Sequence, residues 1–169
     1  MRKMIMLFGA LMVLLTACST ANVGTKAQRR QEMAAQVKEA LQNRHFSVAV
    51  RMMTPLRGTT RQLEYGYGIT LSGDTLHSYL PFFGRARNIP FNGGKGLNFD
   101  AVVKKCTVER TGKEKTTVVM TVFNGEESFV YTLDVFDNAQ ASLSVLAQER
   151  DQISYSGEME FKKEKRNED

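Results

Sequence analysis

Residues 118–135 read VVMTVFNGEESFVYTLDV, and the pattern on the two sides of Asn124 and Gly125 decides the fold class. A mostly apolar run from Val118 to Phe123 meets the Asn-Gly pair, a two-residue hairpin signal, and Phe129, Tyr131, Leu133 and Val135 return on the other side. The same period of two continues outward. Downstream, Asp137 and Asn138 offer the next turn, before Ala141, Leu143, Val145 and Ala147. Then Ile153, Tyr155, Met159 and Phe161 alternate with Ser154, Ser156, Glu158 and Glu160. Upstream, Phe46, Val48, Val50 and Met52 alternate with Ser47, Ala49 and Arg51, and Leu63, Tyr65, Tyr67, Ile69 and Leu71 with Glu64, Gly66, Gly68 and Thr70. Each run predicts a half-buried strand with its apolar set facing one core. Gly66 and Gly68 share the opposite face, where a missing side chain permits a sharp bend or the close approach of another backbone. In residues 26–44 the period changes: Met33, Val37 and Leu41 recur every four residues, with Ala34 and Ala40 beside them. That spacing predicts one amphipathic helix. The expected fold is mainly β (α+β), an antiparallel, strongly coiled sheet or small barrel-like meander with one N-terminal amphipathic helix.

The N-terminus carries an address. Met1, Arg2 and Lys3 form a positive start, and residues 4–15 are an apolar run of 12 without charge. A membrane-spanning helix needs about 20 such residues, so the run reads as the core of a signal peptide. Leu15, Thr16, Ala17 and Cys18 follow, and they resemble the lipobox of bacterial lipoproteins, in which the cysteine receives the lipid. The expectation is a signal peptide over 1–17, lipidation of Cys18, a small polar tether over 18–25, a single β-rich domain over 26–161 and a charged disordered tail over 162–169. Diacylglycerol plus an N-acyl chain gives more than one lipid signal, enough for stable attachment to a membrane.

Composition narrows the function classes. Loss of Arg2 and Lys3 leaves 21 basic against 18 acidic residues in the mature chain, a net charge of +3. So mild an excess argues against a nucleic-acid partner, which asks for a basic stripe interleaved with aromatics. With Cys18 lipidated, Cys106 has no disulfide partner and reads as a small buried hydrophobe. As a nucleophile it would need a base such as His45 or His77 beside it. Two histidines and no clustered ligands give no reason to expect a metal or a cofactor.

The distinctive residues lie in the middle. Gly73 and Asp74 read as a turn and residues 75–80 as a strand, followed by an irregular segment and a Gly-rich loop through Asn92, Gly93, Gly94, Lys95 and Gly96. A P-loop is excluded because Gly96, not Ser or Thr, follows Lys95 in a β-rich stretch. Asp74, His77 and Ser78 have the letters of a hydrolase triad. Adjacent strand residues point to opposite faces, however, so Ser78 goes inward with Leu76 and Leu80 while His77 points out. Asp74 reads as a turn former.

The chain resembles the family called domain of unknown function 4251, found in envelope lipoproteins of Bacteroidota. The resemblance rests on Gly73 and Asp74, the run from Ser78 through Tyr79, Leu80, Pro81, Phe82, Phe83, Gly84 and Arg85 to Ala86, then Gly96, Leu97, Asn98 and Phe99, and the late runs at 141–145 and 153–157. One departure is Ala139, where similar sequences often have Gly after the turn Asn, which implies a different turn type there. The resemblance implies a compact envelope domain and adds no catalytic residue. With no acidic residue among Ser19, Thr20, Ala21, Asn22 and Val23, it further implies lipid anchoring at the outer membrane, facing the periplasm.

Three functions are consistent with this reading: a non-catalytic module that binds an envelope protein or ligand, a small barrel that carries an apolar ligand, and an enzyme whose site is assembled from distant strands. The candidate interaction segment is Phe82, Phe83, Arg85 and Arg87. Adjacent rings point to opposite sides of an extended chain, so one enters the core and the other needs separate cover. The plain reading buries both rings and leaves the arginines solvated. The alternative exposes one ring beside two guanidinium groups, a combination enriched where binding energy concentrates.

Overall fold

The computed structural model describes residues 21–86 and 96–161, without the side chains of 21–24. The chain divides into two compact units, residues 1–32 and 33–169. The described part of the first is helical and belongs to α1, Ala21–Gln42. Residues 21–25, expected to be tether, are thus the start of the helix; no proline interrupts the run to Gln42. Cys18 and the signal residues before it lie outside the described residues, as do residues 162–169. From Met33 onward the helix buries the predicted stripe: Val37 and Leu41 are core residues, with Met33 and Ala40 packed against them.

The described residues of the second unit form nine strands: β1 His45–Pro55, β2 Arg61–Gln62, β3 Gly68–Ser72, β4 Thr75–Leu80, β5 Leu97–Arg110, β6 Lys115–Phe123, β7 Ser128–Phe136, β8 Gln140–Ala147 and β9 Ile153–Glu160. All pairings are antiparallel. β1 pairs with β3 through residues 45–49 and with β9 through residues 47–55, so β1 and β3 to β9 form a closed eight-stranded barrel, while β2 is a short addition to β1. Closure removes the exposed sheet edges that an open meander would leave.

Most of the period-two sets point inward as expected. Val118, Met120, Val122, Leu133 and Val135 are fully buried, and Phe129, Tyr131, Leu143, Val145, Ile153 and Tyr155 fill the same core. Four expectations need correction. A bulge between Val50 and Met52 turns Met52 outward and Met53 into the core. The run 63–71 is not one strand: Gly66 at φ 102° breaks it, strand pairing with β3 begins only at Gly68, and Tyr65 is 87% exposed rather than core-facing. The Asn-Gly connection is four residues long, because the Asn124 side chain accepts hydrogen bonds from the backbone N–H groups of Glu126 and Glu127 at 2.9 and 2.8 Å. At the next hairpin Ala139 itself takes the left-handed conformation that glycine adopts freely, φ 67°, with its N–H donating to Phe136 O at 2.9 Å.

The polar atoms inside the barrel serve each other. Ser78 Oγ donates to Leu97 O at 2.7 Å and accepts a hydrogen bond from the Tyr131 hydroxyl at 3.0 Å, and Tyr155 donates to Pro81 O at 2.7 Å. Burial pushes both phenols well above their usual value of 10.0, Tyr155 further by its nearness to Tyr131. The folded state therefore holds the neutral phenol. Its contribution to stability is whole below about pH 10 and is lost as pH rises beyond that. In an alkaline titration followed by phenolate absorbance, Tyr131 and Tyr155 should ionise only as the barrel unfolds. A smooth ionisation of all five tyrosines with secondary structure intact would contradict this burial.

Candidate functional site

The segment after β4 keeps the alternation of an extended chain. Pro81 bars helical geometry at Leu80, so Phe82 and Phe83 leave the strand on opposite sides. Phe82 packs against the core, and the Arg150 guanidinium lies 5.4 Å from its ring centre. Phe83 faces outward, 48% exposed, with the Arg61 guanidinium of β2 at 4.7 Å from its ring. The structure thus separates the two rings, where the plain reading buries both. The segment is tied to the turn between β8 and β9: Ala86 bridges to Arg150, the Arg85 N–H donates to Asp151 Oδ2 at 3.2 Å, and the Asp151 N–H donates to Arg85 O at 3.0 Å. The Arg85 side chain is exposed. Arg87 and Lys95 lie outside the described residues.

A second aromatic–arginine pair stands on the same part of the barrel. Residues 61–67 run beside β1, held by Leu63 N–H to Arg51 O at 2.8 Å and Val50 N–H to Tyr67 O at 3.0 Å. Between those bonds Tyr65 projects, with the Arg51 guanidinium 4.5 Å from its ring centre. Met52 and Leu56 are exposed nearby in sequence, and Arg57 is exposed in the same loop. β1, β2 and the segments after β2 and β4 thus carry exposed apolar and aromatic side chains together with Arg51, Arg57, Arg61 and Arg85, and the acids Glu64 and Asp151 lie on or against the same segments. Cation–π contacts of this kind stabilise by about 0.5–1 kcal/mol at exposed sites and hold both groups in one geometry. Arg51, Arg61 and Arg150 were not identifiable as site residues in sequence, since strand pairing alone brings them to these rings.

The remaining candidates separate in space. Ser78 is buried and used internally, whereas His77 points outward and its Nδ1 lies 2.8 Å from Asp100 Oδ1. Asp74 pairs instead with Arg44, at 3.0 Å. No triad is assembled from these three residues. Cys106 is partly buried, and burial raises its thiol above the usual value, with Arg44 opposing and Asp74 adding to that shift. A raised thiol is a poor nucleophile at neutral pH. Among the described residues no group of three His, Cys, Asp or Glu side chains is placed to hold a metal ion, and no helix is long and apolar enough to cross a membrane.

Residues 28–159 match the family model described as Domain of unknown function (DUF4251). A crystal structure of a DUF4251 family protein from Bacteroides eggerthii is similar at 12% identity, with a TM-score of 0.58 over 75% of this chain and 86% of that one. No curated protein matches.

Proposed function

Because this chain belongs to the DUF4251 family and shares its fold with a family member from Bacteroides eggerthii, we propose that it acts by binding: a lipid-anchored envelope module that holds an anionic protein partner through its aromatic–arginine surface. The observation that carries this reading is a pair of exposed rings each covered by a guanidinium, Phe83 under Arg61 and Tyr65 under Arg51, with Arg61 and Tyr65 on one segment, residues 61–67. Exposed rings held by guanidinium groups lose little freedom on binding, and Tyr and Arg dominate binding hot spots. Carriage of an apolar ligand inside the barrel is less well supported, since Tyr131, Tyr155, Phe129, Met53 and Met120 occupy the interior.

The test uses the lipidated full-length protein, recovered from its own envelope after cross-linking. Arg61→Ala, Phe83→Ser and Tyr65→Ala should each cost no more than about 1 kcal/mol of stability, the worth of one exposed cation–π contact, yet at least one should weaken recovery of a cross-linked protein by about 2 kcal/mol, ~30-fold in Kd. Phe82→Ser is the contrasting variant, expected to lower thermal stability because that ring packs on the core. Unchanged recovery in every stable variant would remove this surface as the site. The membrane attachment proposed here is tested separately. Wild-type protein should fractionate with membranes and carry a lipid mass at Cys18, and Cys18→Ala should release it. A wild-type chain found soluble and unmodified would refute the anchoring.

A further inference from the structure

We propose that the outward face of β3, β4 and β5 is a second binding site, shaped for a neutral oligosaccharide. Strand register sets out the site as two rows. Gly68 lies opposite Tyr79, which lies opposite Asn98; Thr70 lies opposite His77, which lies opposite Asp100. These six residues line a surface groove of about 350 Å³. The floor is bare at Gly68 because the barrel leaves no room for a side chain there: a Cβ would lie 2.3 Å from Val48 O. Tyr79 forms one wall, 54% exposed, and its ring is held by parallel stacking on Tyr67 at 5.2 Å and 16°.

The polar groups in this groove suit hydroxyl groups rather than ions. His77 and Asp100 engage each other through one nitrogen and one oxygen, 2.8 Å apart, leaving the second atom of each for a ligand. Asn98 adds an amide that both donates and accepts, next to the tyrosine wall. Among the described residues the lining includes no Lys or Arg to pair with an anion, and an apolar ligand would strip water from a carboxylate and an amide without replacing it. A sugar ring answers both features. Its C–H face stacks on an aromatic ring, and its neighbouring hydroxyls each donate and accept. A rigid ring beside a few converging polar groups is the general form of a small-molecule site.

The competing explanation is structural: an aromatic residue often covers a cross-strand glycine, and Tyr79 stands opposite Gly68. That role would not involve Asn98 or Asp100, both exposed on β5. The full-length chain in detergent is titrated calorimetrically with cellohexaose, maltohexaose, hexa-N-acetylchitohexaose and, as an anionic control, hexagalacturonate. At least one neutral hexamer should bind saturably, with Kd of about 10–1,000 µM. Asn98→Ala, Asp100→Ala and Tyr79→Ala should each weaken it about tenfold or more, whereas Phe83→Ser should not. Preference for the N-acetylated hexamer would place the ligand with amino-sugar polymers of the cell wall, and preference for a glucan with free neutral glycans. Should Tyr79→Ala fail to fold, the two β5 variants carry the test. Absence of binding by any neutral hexamer at millimolar concentration, equal binding of the uronate, or wild-type binding by both β5 variants overturns the proposal. None of these results bears on the aromatic–arginine surface, which is read by cross-linking.

Discussion

Gly157→Ala is expected to prevent the barrel from closing. Gly157 of β9 pairs with Val50 of β1 at the seam that makes the sheet a cylinder. A Cβ at this position would stand 1.9 Å from Ala49 O and 2.7 Å from Val50 Cα. Both are backbone atoms, so no rotamer change relieves the overlap and the two strands must part. On the other side of β1, Gly68 is under the same constraint from Val48 O. The bulge between Val50 and Met52 lies at the same level, where β1 bends between its two neighbours. Loss of the seam exposes two strand edges and the side chains beneath them. The expected cost exceeds ~4 kcal/mol, a large part of the margin of a domain stabilised by about 5–15 kcal/mol. Thermal melts by circular dichroism should place the variant at least ~10 °C below wild type, or find it unfolded. Gly112→Ala is the control, since its Cβ would meet Lys115 Cβ at an ordinary 3.4 Å. A Gly157→Ala barrel that melts within a few degrees of wild type would show that β1 and β9 are not in this contact.

The glycines also show how far sequence reading reaches. Gly68 was legible as a point of close backbone approach, because a residue without a side chain inside an alternating run has few other uses. The inward turn of Ser78 and the outward turn of His77 followed from period two alone. Met52 was misplaced because one extra residue in a bulge reverses every face after it, and nothing local in Val50, Arg51 and Met52 marks the insertion. Tyr65 was misplaced because the alternating pattern runs through Gly66 although the backbone does not continue as strand. Most of β5 escaped notice for a related reason: a second bulge, between Val103 and Lys105, interrupts the alternation. Barrel closure was left open because pairing between β1 and β9 joins residues about a hundred positions apart, and no local signal specifies such a partner.

For the candidate site, the opposed directions of Phe82 and Phe83 were legible, since they depend only on adjacent residues in extended chain. What holds each ring was not. Arg61 reaches Phe83 from β2 and Arg150 reaches Phe82 from the turn before β9. The grouping of His77 with Asp100 and Tyr79 with Asn98 likewise depends on the register of β4 with β5.

The second large effect is expected at Glu127. Its carboxylate lies 2.9 Å from Arg150 Nε, and the two side chains are only 10% and 8% exposed. The other carboxylate oxygen accepts the Glu149 N–H at 2.9 Å, and Arg150 Nη1 donates to Gly96 O at 3.2 Å with its guanidinium near Phe82. The pair thus joins the loop between β6 and β7 to the turn before β9 and to the entry of β5. Glu127→Ala removes the only charge paired with this guanidinium among the described residues and leaves it enclosed, since Arg does not give up its proton. Breaking a buried pair from one side costs about 3–5 kcal/mol, whereas replacing both partners with apolar residues is often neutral. Glu127→Leu combined with Arg150→Met should therefore recover much of what Glu127→Ala loses. The same variants bear on function, because Ala86 bridges to Arg150 and Asp151 bonds to Arg85. Loosening this corner frees the segment that presents Phe83, so Glu127→Ala should lose cross-linked partner even at temperatures where the barrel remains folded. Denaturant melts of the single and double variants measure the coupling. A Glu127→Ala barrel destabilised by less than ~1 kcal/mol would mean that water reaches Arg150 and that the corner is held by its backbone bonds alone.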